Sequence, residues 1–179
     1  VMVVLLEHFH SSHSIYRTHS TSLIAARDHF HLIGVGSDAV DDAGRAVFDE
    51  FYLLDGSSIF DKLNKLKSIC EKNGAAVLYM PSIGMDLTTI FASNTRLAPV
   101  QVIALGHPAT THSDFIEYVI VEDDYVGSEK CFSEQLLRLP KDALPYVPSA
   151  LAPQSVEYLF RENPEVVNIG VASTRANAY

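Results

Sequence analysis

The chain has 179 residues, of which 47% are hydrophobic and 20% charged, a balance that is typical of a globular domain and excludes a largely disordered chain. Its net charge of −9 argues against a nucleic-acid-binding protein, because phosphate neutralisation needs clustered Lys and Arg side chains. The two cysteines, Cys70 and Cys131, lie far apart, and no apolar run reaches the roughly 18 residues that span a bilayer. We therefore expect a cytoplasmic protein without a membrane span.

Strands and helices alternate along the first two thirds of the chain. Apolar runs predict strands at residues 1–6, 31–36, 52–55, 75–81, 99–105 and 118–122. Between them, helical spacing predicts helices at about residues 20–30, 41–51, 57–73 and 85–94. This alternation indicates βαβ units, and hence an α/β fold with a mostly parallel sheet.

The remaining third has a different pattern. Prolines punctuate residues 125–153, which predicts an irregular connection, and a short helix at 154–161 and a last strand at 166–172 follow. That last strand has no following element to pack against. We therefore expect the chain to be part of a larger protein.

Half of the histidines lie in one polar stretch, residues 6–20, between the first strand and the helix predicted to begin near Ser20. They are His8, His10, His13 and His19. Open α/β sheets build their sites in loops beyond the carboxyl ends of the strands, so this placement predicts a functional site. Residues 105–112, which follow another strand with a Gly-His-Pro turn, form a second candidate stretch.

Three interpretations of the polar stretch stay open from the residues alone. His8 and His10 can begin the ligand set of a metal-dependent hydrolase, although no further ligands stand at a suitable spacing. The histidines can also be polar loop residues of a non-catalytic, flavodoxin-like docking domain. In a third interpretation, His13 or His19 is a general base, Arg17 holds a carboxylate or phosphate, and the helix amides at residues 20–22 favour an anion.

Two further groups of residues are candidates for a role in the site. Gly106 and Pro108 allow a tight backbone turn, so that His107 can project toward a ligand, although an ordinary turn explains the same residues. Glu7, between the first strand and His8, is interpreted as a carboxylate on the surface or in support of the site.

Three segments together resemble a known family. Residues 98–120, which read Ala-Pro-Val-Gln-Val-Ile-Ala-Leu-Gly-His-Pro-Ala-Thr-Thr-His-Ser-Asp-Phe-Ile-Glu-Tyr-Val-Ile, are similar to a segment of the O-linked N-acetylglucosamine transferases. They are more similar still to the bacterial cytoplasmic glucosyltransferases that modify high-molecular-weight adhesins on asparagine. Residues 8–20 and 131–140 also resemble this bacterial branch, and His107 stands where the eukaryotic enzymes have Tyr.

The resemblance implies a GT-B glycosyltransferase with two Rossmann-like domains. Residues 1–165 would be the amino-terminal, acceptor-side domain, and residues 166–179 would begin or lead into the donor-binding domain. A helical domain would precede this chain. The implied reaction transfers glucose from UDP-glucose to asparagine in Asn-Xaa-Ser/Thr, with inversion and with no metal or other cofactor. The chain alone would be inactive and would expose an apolar patch where the other domains dock.

The resemblance also assigns site residues. His8, His13 and His19 match histidines of the catalytic cleft. His107 matches the position that faces the donor. The remaining substrate-binding candidates are Gly106, Thr110, Thr111 and Arg17.

Overall fold

A computed structural model describes residues 1–104, 106, 110–140, 143–144, 146–149, 152 and 155. Within these residues seven strands form one sheet, in which every neighbouring pair is parallel. The strands are β1 (Met2–Leu6), β2 (Leu32–Gly36), β3 (Glu50–Leu53), β4 (Val77–Met80), β5 (Val100–Ala104), β6 (Tyr118–Glu122) and β7 (Gln135–Leu139). Their order is β3-β2-β1-β4-β5-β6-β7, so the predicted α/β class with a Rossmann-like sheet is confirmed.

Four helices connect these strands: α1 (Ser14–Ala26), α2 (Asp42–Arg45), α3 (Ile59–Lys72) and α4 (Leu87–Ser93). The boundaries of α3 follow from local signals. The Ser58 hydroxyl accepts a hydrogen bond from the Asp61 amide, and the Asp61 carboxylate accepts one from the Ser58 amide, so the two form a capping box. Gly74 ends this helix with φ of +59°, as predicted. None of the helices within the described ranges is long and apolar enough to cross a membrane.

The predicted start of α1 near Ser20 is wrong. The helix begins at Ser14, because the His13 side chain caps it and because Thr18 donates its hydroxyl to the Ser14 carbonyl inside the first turns. Residues 20–22 therefore lie within the helix, and their amides are not available to an anion.

Two further predictions need correction. The helix predicted at 41–51 has only four residues, and β3 begins at Glu50. The reason is Asp49, whose carboxylate accepts hydrogen bonds from the Leu32 amide and the Arg27 side chain. These bonds hold the chain at the edge of the sheet. The irregular connection predicted at 125–153 contains β7, whose Arg138 pairs with two acidic side chains. The helix predicted at 154–161, except for Ser155, and the strand predicted at 166–172 lie outside the described residues, as does the boundary at 165.

The core lies on both faces of the sheet. On one face, α3 and α4 cover a cluster that includes Val3, Ile33 and Leu78. On the other face, α1 and α2 cover Val4 and Leu32. Because both faces are covered here, the central strands are apolar along their whole length, which explains their continuous apolar runs in the sequence.

Candidate active site

The site lies where the strand order reverses. From β1 the chain proceeds to β2 on one side, and β4 continues the sheet on the other side, so the loops that leave β1 and β4 diverge at the carboxyl edge. In open α/β sheets this reversal creates a crevice that binds ligands. Residues 7–13, which are polar except for Phe9 and are named here the histidine loop, follow β1 at this point.

Three imidazoles gather on the histidine loop. The ring centroids of His8 and His13 are 5.6 Å apart, and those of His10 and His13 are 5.2 Å apart. His8 is exposed, whereas His10 and His13 are half-buried. The structure thus brings together His8 and His13, the two histidines that head the predicted site, and adds His10 to them.

His13 has a defined protonation state. Its Nδ1 accepts a hydrogen bond of 3.3 Å from the Ile15 amide, so in the neutral ring the proton is carried by Nε2. Burial lowers the pKa of His13, and the neighbouring His10 and His8 lower it further. His13 is therefore a neutral imidazole near pH 7, with an N–H group available to a ligand.

The backbone of the histidine loop is held firmly. Phe9 is fully buried, and its ring packs on Tyr16 and Phe48 with centroid distances of 5.2 and 5.9 Å. The Ser11 amide and hydroxyl both donate to the Asp41 carboxylate, at 2.9 and 3.0 Å. The three histidines consequently project from a rigid base.

Gly44 of α2 lies against this same loop. A Cβ built on Gly44 would stand 2.0 Å from the Phe9 carbonyl oxygen. Only glycine at position 44 therefore allows α2 and the histidine loop to approach each other this closely. A missing side chain, rather than a positive φ, is the reason for glycine at this position.

Glu7 was interpreted as a surface or supporting carboxylate, and the structure shows that it is not on the surface. It is 5% exposed and accepts hydrogen bonds from the loop between β4 and α4 and from the first turn of α4. Its donors are Ser82 Oγ, the Gly84, Met85 and Asp86 amides, and Thr89 Oγ1. Sequence reasoning offered a supporting role as one alternative but could not name these donors, because all of them lie at least 75 residues further along the chain.

His19 lies apart from the three clustered histidines. It is 6% exposed on the inner side of α1, where its Nδ1 hydrogen bonds to the Ile15 carbonyl at 3.2 Å. Its Nε2 has no hydrogen-bond partner within the described residues, and His19 lines an apolar cavity of about 410 Å³. Burial lowers the pKa of His19 to about 4, so the ring is neutral. Its assignment to the catalytic cleft stays a prediction.

Arg17 follows His13 by one turn of α1. Its guanidinium carbon lies 4.9 Å from the centre of the Tyr146 ring, and its carbonyl oxygen accepts a hydrogen bond of 2.7 Å from the Val147 amide. Arg17 thus contacts residues 146–147 through its guanidinium and its backbone carbonyl, whereas its buried Nε has no hydrogen-bond partner within the described residues. Its predicted role in holding substrate stays a prediction.

Gly106, two residues after the end of β5, lies beside Ser82, which follows β4. A Cβ on Gly106 would stand 3.2 Å from the Ser82 Cβ, which agrees with the close backbone approach expected at this glycine. Thr110 and Thr111 both donate their hydroxyls to the buried Glu134 carboxylate, so these hydroxyls serve the loop itself. Their predicted contact with the donor stays a prediction, and His107 lies outside the described residues.

The metal-hydrolase alternative finds no ligand set in the part of the chain that the structure describes. Although the rings of His8, His10 and His13 are close together, no group of three or more His, Cys, Asp and Glu side chains there is arranged to hold a metal ion. A metal site needs three or four such ligands.

Comparison with known proteins gives two strong sequence matches. The chain is 79% identical over 174 residues to the UDP-glucose:protein N-beta-glucosyltransferases of Actinobacillus pleuropneumoniae serotype 5b (strain L20) and serotype 7 (strain AP76). This chain corresponds to a segment of these glucosyltransferases. Each match covers 97% of the chain but 28% of the relative's length. The predicted resemblance to the bacterial glucosyltransferases is therefore confirmed. No family model matches the chain.

A solved structure supports the fold assignment. A mutant of the Thermobaculum terrenum O-GlcNAc transferase superposes with a TM-score of 0.60 at 21% identity, over 78% of this chain and 27% of that one. At this identity the match establishes a shared fold. It confirms the predicted Rossmann-like domain of the GT-B type.

Proposed function

We propose that this chain is part of a glycosyltransferase that transfers glucose from UDP-glucose to asparagine side chains of proteins, in Asn-Xaa-Ser/Thr sequences. The observation that carries the proposal is 79% identity over 97% of the chain to two proteins named as UDP-glucose:protein N-beta-glucosyltransferases. Because the chain spans only 28% of their length, the activity belongs to a longer protein. The acceptor is a protein, with an adhesin as the proposed example, and the proposed compartment is the cytoplasm.

In the proposed reaction, the asparagine amide nitrogen attacks the anomeric carbon of glucose. The new N–C bond forms as the bond from that carbon to the UDP oxygen breaks and its electron pair leaves with UDP. The configuration inverts, and the amide nitrogen releases one proton to solvent water. An amide nitrogen is a poor nucleophile, so the site must orient it and stabilise the departing diphosphate. No metal or other cofactor takes part in the proposed mechanism.

The histidine loop supplies groups that suit this chemistry. The neutral His13 offers its Nε2–H as a hydrogen-bond donor toward the acceptor or the leaving group, because its Nδ1 already caps α1. The positive end of the α1 dipole begins at the next residue, Ser14, and favours negative charge developing nearby. His8 is exposed beside it and is available to the substrate.

Exposed apolar side chains support a further part of the proposal, that other domains of the longer protein dock on this chain. Phe60, in the first turn of α3, is 74% exposed, and Leu87 and Phe91 on one side of α4 are 59% and 46% exposed. Helices α3 and α4 pack side by side, and both begin near the carboxyl edge of the sheet. We propose that the helical and donor-binding domains cover these side chains.

The test is a transfer assay with the full-length protein that contains this chain. It is incubated with UDP-glucose and an Asn-Xaa-Thr peptide in EDTA, and the peptide mass is followed. A gain of one hexose is expected, and none with a Gln-Xaa-Thr peptide. His13→Ala should lower kcat/KM at least about tenfold, which corresponds to about 1.4 kcal/mol. His29→Ala, an exposed histidine near the opposite end of α1, is the matched control and should have no effect.

Two outcomes would contradict the proposal. If the full-length protein transfers no hexose from UDP-glucose under any condition, the enzymatic function is wrong. If the 179-residue chain alone transfers glucose, the dependence on further domains is wrong.

A further inference from the structure

The Glu7 carboxylate is buried at the reversal point of the sheet. Among the described residues it forms no ion pair with lysine or arginine, and it is 5% exposed. Burying a charge in this way costs several kcal/mol unless hydrogen bonds replace the lost water. Three backbone amides, at 2.9 to 3.0 Å, and two hydroxyls provide them.

All five donors come from one side of the crevice. They belong to residues 82–86 and to Thr89 in α4, whereas Glu7 itself is the first residue of the histidine loop. The carboxylate thus connects the ends of β1 and β4, the two neighbouring strands whose loops diverge. Such a connection fixes the distance between the two walls of the crevice.

The same contacts reach both segments that the resemblance assigns to the site. On one side, His8 follows Glu7 directly in the sequence. On the other side Ser82, which donates to Glu7 at 2.9 Å, is the residue against which Gly106 packs. A change in the position of the Glu7 carboxylate would therefore move the histidine loop relative to Gly106.

We propose that Glu7 is a positioning residue that sets the histidine loop at its working distance from the residue 82–86 loop and from Gly106. This inference rests on the proposed glucosyltransferase function. Glu7 acts through His8 and His13 and does not itself contact substrate. This role depends on the position of the two Glu7 carboxylate oxygens more than on their charge.

Two substitutions separate position from charge. Glu7→Gln keeps the length of the side chain, and its amide oxygen can accept the three backbone N–H groups while its NH₂ group donates to Ser82 Oγ. Glu7→Asp keeps the charge but withdraws the oxygens by one methylene. We expect Glu7→Gln to retain kcat within about threefold, and Glu7→Asp to lower kcat at least tenfold, with KM for UDP-glucose changed less than threefold in both.

The measurement uses the full-length protein, with kcat expressed per folded molecule. Matched controls are Glu117→Gln and Glu117→Asp, since Glu117 is a half-buried carboxylate that accepts a backbone hydrogen bond from Gln101 just before β6. These controls should keep kcat within threefold. A purely structural role for Glu7 predicts fewer folded molecules with an unchanged kcat, and that result would overturn the proposal. So would loss of activity in Glu7→Gln with retention in Glu7→Asp.

Hydrogen exchange tests positioning without activity. In Glu7→Asp, the amides of Gly84, Met85 and Asp86 should exchange faster, and so should those of the histidine loop. If both loops are perturbed but the wild-type protein transfers no glucose, the proposed function fails and the positioning stands. If the wild type is active and Glu7→Asp perturbs neither loop nor kcat, the positioning fails and the function stands.

Discussion

Replacement of Gly44 by alanine provides a direct test of the contact between α2 and the histidine loop. By helix propensity alone, alanine inside a helix is about 1 kcal/mol more favourable than glycine. The structure predicts the opposite sign. An alanine Cβ at this position would lie 2.0 Å from the Phe9 carbonyl oxygen, whereas real Cβ atoms essentially never come closer than 3.0 Å to such a neighbour.

The two segments must therefore separate by about 1 Å, because the atom that the Cβ would meet belongs to the backbone of Phe9. Overpacking of this kind costs about 1–3 kcal/mol, and a backbone neighbour that cannot rotate away places the cost at the upper end. After subtraction of the propensity gain, we expect Gly44→Ala to lose about 2 kcal/mol of unfolding free energy. For a chain of this length that corresponds to a fall of about 4–8 °C in Tm.

Thermal unfolding followed by circular dichroism measures this change. The matched control is Gly127→Ala, because no heavy atom lies within 4 Å of a Cβ built at Gly127. The control should stay within about 0.5 kcal/mol of the wild type. In the full-length protein, Gly44→Ala should also lower glucose transfer at least tenfold, since a misplacement of about 1 Å in a site can cost that much or more. A Gly44→Ala chain that melts at or above the wild-type temperature would refute the reasoning.

Three other predictions concern titration. Burial holds the pKa of His19 at about 4 in the folded chain, below its value of 6.5 in the unfolded chain. As pH falls, the unfolded chain therefore binds the proton first. The free energy of unfolding should fall by about 3 kcal/mol between pH 6.5 and pH 4. Urea unfolding should show that His19→Gln removes this slope, whereas His29→Gln leaves it unchanged. Burial raises the pKa of Glu134, but hydrogen bonds from Thr111 and Thr110 outweigh it and hold the pKa below its usual value. Its stabilisation is therefore present above pH 4.5 and is lost as pH falls through the lowered pKa, so the stability difference between wild type and Glu134→Gln should shrink as the solution is made more acid than pH 4.5. The Glu7 charge raises the pKa of His13, so a histidine-selective NMR titration should show a lower His13 midpoint in Glu7→Gln; an unchanged midpoint would contradict this.

The fold was predictable wherever a signal is local. Helix α3 carries its own start and stop in Ser58 and Gly74, and the apolar runs of the central strands identify a sheet that is covered on both faces. The start of α1 was missed because its cap is the imidazole of His13, whereas the usual capping residues are hydroxyl, amide and carboxyl side chains. Ser20, where the start was predicted, instead lies inside the helix.

The candidate site was predictable to a similar extent. His8 and His13 are close in sequence, so a single loop brings them together. Glu7 could not be assigned, because its five donors come from a segment 75 to 82 residues away and only the strand order places that segment beside β1. Pairing between distant segments is a property of topology, which local patterns do not report.

The firm hold on the histidine loop has a consequence for selectivity. With Phe9 inside the core and Ser11 tied to Asp41, the loop retains few alternative conformations. Its ordering entropy is lost once, when the chain folds, and a ligand that contacts it does not incur that loss again. The same stiffness prevents the loop from remoulding itself around a ligand of another shape. A surface of this kind favours one ligand shape strongly and accommodates variants poorly.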